Sequence, residues 1–273
     1  ARDRQSAAAQ VEALGRALHL RRPPRTIECV DVSHWGGEAG TSVAAIAAML
    51  DGRLDQSRYR RFRLRGDHRG DDYAAMREVL LRRFERARSG DHRWAAPDLL
   101  VVDGGRGQLA VAQAVLADLG LPDINLAAIA KPHDAKDDRP APPRTSDPAA
   151  IPAPEAAATL DSVYLAGRKN PLRLRPGSPA LRLLARLRDE THRLAVSFQG
   201  ITRRRHRLTD RLAGIPGIGP VTRRRLLRAF GSVARLARAS ADEIAAVEGV
   251  TAAQASAVAR ELARGLPEDE PPS

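Results

Sequence analysis

The chain has 273 residues, of which 45 are Lys or Arg and 33 are Asp or Glu, so its net charge is +12. That length supports a real core in one or two domains. Cys29 is the only cysteine, which excludes a disulfide framework and a cysteine-based zinc site. No apolar run approaches the ~18 residues of a membrane span, and the N-terminus lacks the apolar core of a signal peptide. We therefore expect a cytoplasmic protein with no membrane partner.

Arginine supplies almost all of the positive charge, because Lys131, Lys136 and Lys169 are the only lysines. Guanidinium groups bind phosphate through two parallel N–H donors, so this bias favours a nucleic-acid partner. An arginine excess can also reflect the base composition of a genome. The charge alone therefore does not decide the function.

The first part of the chain predicts a helix followed by strands. Residues 1–25 form an N-terminal helix, with its apolar face over 7–20, and a linker that contains Pro23 and Pro24. Three successive strands with antiparallel turns are predicted in the sequences TIECVDVSH, TSVAAIAAML and SRYRRFRLRG. In the third of these, alternation makes one face largely basic.

The next part alternates helices and buried strands. Helices are predicted over 72–86 and 107–120, and apolar strands over 98–105 and 124–131. Asp72 is the expected N-cap of the first helix. A strand–helix–strand order of this kind forms a right-handed crossover. The predicted fold class is α/β, with a mixed sheet flanked by helices.

Residues 26–200 are predicted to be one domain that contains a long loop. The segment 132–158 is rich in Pro, Ala, Asp and Ser and is expected to be a disordered loop. Chain order resumes with a short strand at SVYL and a long amphipathic helix over 178–199.

The last part predicts a small all-α domain over 201–265, with a disordered tail over 266–273. It begins with a basic hinge, Arg203-Arg204-Arg205, and contains an imperfect repeat in which Gly217 and Gly249 are equivalent. In each repeat a helix runs into a glycine turn and a second helix starts. Backbone N–H groups at such a turn bind anions, so two units in tandem would hold DNA phosphates without reading bases.

Two aspartates are the main candidates for a metal site. Asp31 and Asp103 each follow a short apolar strand and precede turn residues. Either one alone reads as an ordinary turn aspartate. If their strands are neighbours, the two carboxylates meet at one sheet edge, where Mg²⁺ or Mn²⁺ removes their repulsion. His192, on the long helix, could face this metal or could be an ordinary helical histidine. Ser33 and His34 are candidates for support around the metal ligands.

Seven motifs, in chain order, resemble the C-terminal half of the UvrC subunit of the bacterial UvrABC excinuclease. They are IECVDVSHWGGEAG, YRRFRLRG, GDDYAAMREVLLRRF, PDLLVVDGGRGQL, YLAGRKNP, LRLLARLRDETHRLAVSF and IPGIGPVTRRRLLRAFGS. The resemblance implies an RNase H-like endonuclease domain followed by a tandem helix-hairpin-helix DNA-binding domain. It also implies that Asp31, Asp103 and His192 are the catalytic set. Arg106 stands where the family usually has a lysine, so the charge is kept but its geometry changes.

Compared with that family, the chain is expected to lack the N-terminal nuclease of the 3′ incision and the helical segment that docks on UvrB. It would then be a fragment or a shortened homologue. The implied function is a metal-dependent DNA endonuclease module of nucleotide excision repair that incises the damaged strand 5′ to the lesion. Its implied partners are damaged or junction-containing DNA, UvrB and, indirectly, UvrA.

The residues expected to contact DNA are glycines of the two hairpins and arginines near them or near the metal site: Gly217, Gly219, Gly249, Arg223, Arg224, Arg106, Arg203 and Arg204.

Three points stay open: whether one or two metals bind, whether His192 is a metal ligand or orients a reacting oxygen, and how the chain is loaded onto DNA. Two other functions also stay open. One is a non-catalytic, structure-selective DNA-binding module on a degraded nuclease, and the other is a nuclease for RNA–DNA hybrids.

Overall fold

A computed structural model describes residues 2–33, 42–65, 68, 70–130 and 162–263. The chain divides into two compact units, Ala1–Gln199 and Gly200–Ser273. His34, the predicted loop over 132–158 and the predicted tail over 266–273 lie outside the described residues. In the described part of the chain, no helix has the length and apolar character needed to cross a membrane.

The strands of the first unit form one mixed sheet, as the sequence predicts. Within the described residues they are β1 (Thr26–Ser33), β2 (Val43–Leu50), β3 (Arg53–Leu54), β4 (Arg60–Arg63), β5 (Leu99–Asp103), β6 (Asn125–Ala130), β7 (Ser162–Leu165) and β8 (Leu172–Arg173). The order across the sheet is β3-β2-β1-β5-β6-β7-β8, and β4 also pairs with β2. Strands β1, β5 and β6 are parallel to one another, and the remaining pairs are antiparallel.

Helices cover both faces of this sheet. They are α1 (Arg2–Ala17), α2 (Asp72–Arg88), α3 (Arg106–Asp118) and α4 (Pro179–Gly214), and the division between the two units falls inside α4. On one face Val30 and Val102 pack among residues of α2 and α3. On the other face Cys29 and Val101 pack among residues of α1 and of the first part of α4. The central strands are thus buried on both sides, which explains why apolar residues dominate both faces of β1 and β5.

Three local predictions are corrected. The N-cap of helix α2 is Asp71 and not Asp72, since the Asp71 side chain accepts a hydrogen bond from the Ala74 N–H at 2.9 Å. The third predicted strand is shorter, since Gln56–Arg58 form a turn of 3₁₀-helix before β4. Helix α4 does not end at residue 199, so Arg203-Arg204-Arg205 lie within a helix rather than in a hinge. Gly200 alone lowers helix propensity without supplying a stop signal.

The second unit contains the rest of α4 and a set of shorter helices. These are α5 (Pro220–Phe230), α6 (Val233–Leu236), α7 (Ala241–Ala245) and α8 (Ala252–Ala263). Leu212, Leu226, Ile244 and Val258 are among the residues of its own apolar core. The small all-α architecture matches the prediction.

Candidate metal centre and nucleic-acid interface

The parallel pairing of β1 with β5 brings the two predicted carboxylates together. The register pairs Val30 with Val102, so Asp31 and Asp103 are the next residues along the same two strands. Both lie on the face that carries Cys29 and Val101, because side chains alternate along a strand. The sheet therefore places the two carboxylates side by side at its carboxyl edge.

Helix α4 supplies the third member of the cluster. Leu183 and Leu187 anchor this helix on the same face of the sheet, and Thr191 and Ala195 continue the buried stripe. His192 lies on the flank of that stripe, and its Nδ1 is 3.0 Å from Oδ2 of Asp31. The Asp31 side chain is 10% exposed and the His192 side chain is 52% exposed. A buried carboxylate thus orients an imidazole that solvent can reach.

The three side chains can hold a metal ion. Asp31, Asp103 and His192 each offer a ligand atom, and these atoms all lie within 4.8 Å of one another. A small divalent ion holds each ligand at about 2.1 Å, so two of its ligand atoms are at most about 4.2 Å apart, and the three side chains would draw together around a bound ion. Carboxylate ligands suit Mg²⁺ and Mn²⁺. The cluster therefore fits a divalent metal.

Cys29 lies beneath this cluster and does not join it. Its side chain is buried two residues before Asp31, on the same face of the sheet. Burial raises the pKa of the Cys29 thiol well above its usual value, and the charge of Asp103 raises it further. The neutral thiol is a packing residue, because only the thiolate is a good metal ligand.

Of the two residues expected to support the metal ligands, Ser33 lies within the described residues and His34 does not. Ser33 lies two residues after Asp31, at the end of β1, and therefore on the same face of the sheet. Its role beside the metal ligands stays a prediction.

Arg106 begins α3 directly after the turn that follows Asp103. Its guanidinium donates a hydrogen bond to the Lys169 carbonyl oxygen at 2.7 Å, and it lies 5.5 Å from the ring centre of Tyr164. These contacts hold a cation near the carboxyl end of β5. The side chain is exposed, so its charge remains accessible to a phosphate.

In the second unit the two glycine turns contact each other's helices. Gly217 lies between α4 and α5, and its carbonyl oxygen accepts a hydrogen bond at 2.8 Å from the Gln254 side chain of α8. Gly249 precedes α8, and Arg225 of α5 donates to the neighbouring Glu248 carbonyl oxygen at 3.4 Å. The repeat seen in the sequence is thus a reciprocal pair of turns. Sequence reasoning missed Gln254 and Arg225 as the residues that join them.

The glycines of these turns are required by the backbone. Gly217 and Gly249 have φ values of 81° and 78°, a region that other residues rarely adopt. Gly219 caps α5, and Pro220 occupies its first turn. The remaining predicted DNA-binding arginines lie on helices: Arg203 and Arg204 on α4 and Arg223 and Arg224 on α5. The contacts of all four with DNA remain predictions.

Comparison with known proteins identifies both parts of the chain. Residues 15–196 match the family model of the UvrC RNAse H endonuclease domain, and residues 209–264 match that of the SAM-like helix-hairpin-helix tandem. The UvrABC system protein C of Pseudomonas fluorescens strain Pf0-1 is 39% identical over 249 residues, which are 91% of this chain and 37% of that protein. The UvrABC system protein C of Geotalea daltonii is 39% identical over 258 residues, 94% of this chain and 39% of that protein.

A solved structure of Ciona intestinalis endonuclease V in complex with DNA is similar at a TM-score of only 0.28 and 9% identity, over 40% of this chain and 46% of that one. The chain spans less than half the length of the curated relatives it matches. The first match covers most of the chain and contains all three residues of the metal cluster. The chain therefore belongs to the UvrC RNase H endonuclease family.

Proposed function

We propose that the chain is a Mg²⁺- or Mn²⁺-dependent DNA endonuclease module of nucleotide excision repair, which incises the damaged strand 5′ to the lesion. The observation that carries the proposal is the convergence of Asp31, Asp103 and His192, whose ligand atoms lie within 4.8 Å at the carboxyl edge of the sheet. Because the chain belongs to an endonuclease family, the reaction proposed for this cluster is hydrolysis of a phosphodiester.

Asp31 and Asp103 would hold the ion. When bound, a divalent ion lowers the pKa of a water and neutralises charge on the scissile phosphate. The two aspartates set where that phosphate is placed, and they exclude other anions by their own charge when no ion is present. Asp31 has a second role, because its Oδ2 also fixes the ring of His192.

His192 would act on a proton or complete the ion's ligand set. Since Nδ1 faces Asp31, the ring can donate Nδ1–H to that carboxylate, which leaves Nε2 as the basic nitrogen. A base held in this way can take a proton from an attacking water or return one to the leaving oxygen. The half-exposed ring is accessible to either partner.

The second unit would hold the DNA. Glycine turns at Gly217, Gly219 and Gly249 present backbone N–H groups, and Arg223 and Arg224 add charge on the helix that follows the first turn. Arg203 and Arg204 on α4 and Arg106 beside the metal cluster would add further phosphate contacts. Phosphate contacts do not read the base sequence, so binding should depend on the structure of the DNA and should weaken steeply with salt.

UvrB, and UvrA indirectly, are the proposed protein partners. This proposal rests on the names of the curated relatives, which are components of the UvrABC system. Loading by such a partner would supply the lesion specificity that phosphate contacts lack.

The test is Mn²⁺-dependent nicking of a bubble-containing duplex, measured for the chain and for Asp103→Asn, with and without UvrA and UvrB. We expect nicking by the chain, stimulation by the partners and loss in the variant. Absence of nicking in every condition, with tight salt-sensitive binding by both proteins, would instead favour a non-catalytic DNA-binding module. Faster cleavage of an RNA–DNA hybrid than of the bubble would favour a hybrid nuclease.

A further inference from the structure

A polar cleft lies on the same unit as the metal cluster but on the other flank of α4. Its volume is about 480 Å³. It is lined by residues that precede or belong to β4 and by residues of α4: Gln56, Tyr59, Arg61, Glu190, Arg193, Leu194 and Ser197. None of these belongs to the metal cluster.

The sheet register relates this cleft to the carboxylates. Asp31 of β1 lies opposite Ala45 of β2, and Ala45 lies opposite Arg61 of β4. Directly opposed residues share a face, so Arg61 and Asp31 lie on the same face two strands apart, a separation of roughly 10 Å. Leu194 and Ala195 of α4 pack on Ala45 between them. The helix thus has the metal cluster on one flank and the cleft on the other.

Both oxygens of the carboxylate in the cleft already accept hydrogen bonds. One oxygen of Glu190 accepts the Tyr59 hydroxyl at 3.0 Å, and the other accepts two donors of Arg193, at 3.1 and 2.5 Å. Glu190 is 9% exposed, whereas the Arg193 side chain is 74% exposed. Glu190 therefore orients Arg193, and each of its oxygens already has a donor.

Arg61 is the cation that this arrangement leaves available. Its side chain is exposed, and over the described ranges of the chain it has neither an ion pair nor a hydrogen bond. It lines the cleft together with Arg193, and its guanidinium carries five N–H donors. Two guanidinium groups against one carboxylate leave the cleft with an excess of positive charge.

We infer that this cleft binds a backbone phosphate of the DNA whose scissile phosphate lies at the carboxylates, with Arg61 as the principal contact and Arg193 as the second. The inference rests on the proposed nuclease function and adds a positioning site to it. A guanidinium pair matches the geometry of a phosphate, and its distance from the metal cluster lets one nucleic acid engage both. Arg61 lies in register with Asp31 across the sheet, as a second contact to the same nucleic acid requires. Binding of an acidic protein segment would not require that alignment.

The test compares Arg61→Ala with Arg22→Ala, both in the full chain carrying Asp103→Asn to prevent cleavage. Arg22 is an exposed arginine shortly before the amino end of β1, and therefore at the opposite end of that strand from Asp31. Affinity for a bubble-containing duplex is measured from 50 to 200 mM salt. We expect Arg61→Ala to weaken binding ~10-fold at the lowest salt and to reduce the salt slope by about one, and Arg22→Ala to change neither.

A second arm identifies the phosphate. Single methylphosphonate linkages, which remove one backbone charge, are placed in turn at positions around the incision site. One position outside the scissile linkage should weaken binding by the parent protein and have no further effect in Arg61→Ala, because the same contact is then removed twice. A merely structural role for Arg61 would not produce this non-additivity.

Two results would overturn the inference: equal effects of Arg61→Ala and Arg22→Ala, or methylphosphonate effects that are additive with Arg61→Ala at every position. Either would also be the outcome if the cleft binds an acidic protein segment. Failure of the chain to nick DNA would count against the proposed function and leave these binding results interpretable, since they do not depend on cleavage.

Discussion

His192 Nδ1 and Asp31 Oδ2 lie 3.0 Å apart although the two residues are separated by 161 positions in the sequence. The contact joins the end of the central strand β1 to helix α4 and makes one carboxylate serve both as a candidate metal ligand and as the partner of a histidine. A carboxylate that orients an imidazole in this way sets which ring nitrogen is available for chemistry.

The first prediction concerns that histidine. His192→Ala should lower kcat for Mn²⁺-dependent nicking by about 10²- to 10⁴-fold, the range typical of a positioned acid or base. Because the His192 side chain is half-exposed, the variant should keep the urea midpoint of the parent. Single-turnover nicking under saturating protein measures the chemical step without the binding term. A loss confined to KM would contradict a role at the reacting atoms.

Metal binding should be visible without any substrate. Mn²⁺ at about 100 times its dissociation constant should stabilise the folded chain by about 2.7 kcal/mol, because an ion that binds only the folded state shifts the unfolding equilibrium. Thermal unfolding with and without Mn²⁺ measures this shift. Asp103→Asn should abolish most of it, since the variant loses a charged ligand of the cluster. An equal shift in both proteins would place the ion elsewhere.

The paired aspartates could be predicted from sequence, whereas the third member could not. Asp103 ends a continuous apolar run, and Asp31 ends an apolar run that only Glu28 interrupts; such runs are typical of strands that are covered on both faces. The periodicity of α4 predicts its buried stripe but not which flank faces Asp31, because that depends on how the helix crosses the sheet. The pattern left His192 open between a site residue and an ordinary helical histidine, and the resemblance to a known family favoured the first.

Two contacts that matter were not predicted at all. Glu28 lies in the middle of β1 and is 1% exposed, and it pairs with the equally buried Arg83 of α2. In the sequence Arg83 is one of several arginines on a charged helix, so nothing marks it as buried. Tyr59 and Glu190 meet across 131 residues. Long-range pairs of polar residues carry no local signal, unlike apolar periodicity.

The buried ion pair predicts an unusually large loss of stability. Two nitrogens of Arg83 donate to the two oxygens of Glu28 at 2.9 and 2.7 Å, and the same guanidinium also donates to the carbonyl oxygens of Trp94 and Ala95. Arg83→Met would leave Glu28 buried with a much weaker ion pair, to Arg58 at 3.6 Å. The free energy of unfolding should fall by about 3–5 kcal/mol, as for other broken buried pairs.

Arg77→Met is the matched control for this experiment. Arg77 lies on the same helix and pairs with Asp118, but its side chain is 50% exposed. Exposed pairs contribute about 0–1 kcal/mol, so the control should change little. Urea unfolding of both variants decides the matter. Equal losses would mean that the burial of the Glu28 pair has no special energetic consequence.

The raised pKa of Cys29 predicts that the free energy of unfolding falls at alkaline pH. The folded thiol has the higher pKa, so its contribution is fully present below the unfolded value, ordinarily about 8.5, and is lost as pH rises toward the folded pKa. The urea midpoint of the parent should therefore fall more between pH 8 and pH 10 than that of Cys29→Ala. Tyr59, whose pKa is also raised, titrates in both proteins and cancels in the comparison. The folded parent should also react slowly with thiol reagents at pH 8.

The second hairpin gives a prediction that separates DNA binding from folding. Gly249 has φ of 78°, and a Cβ at this position would lie 1.9 Å from a guanidinium nitrogen of Arg225. Gly249→Ala should therefore strain the turn and displace the arginine that joins the two hairpins, which should weaken binding to a bubble-containing duplex and reduce its salt slope.

Gly200→Ala provides the contrast for Gly249→Ala. Gly200 lies within α4, and a Cβ there would meet nothing within 4 Å. Alanine is the better helix former by about 0.5–1 kcal/mol, so this variant should be slightly more stable and should bind DNA as the parent does. Affinity and unfolding measured side by side distinguish the two effects. If Gly249→Ala bound DNA with the affinity and salt slope of Gly200→Ala, the second glycine turn would not be part of the DNA interface.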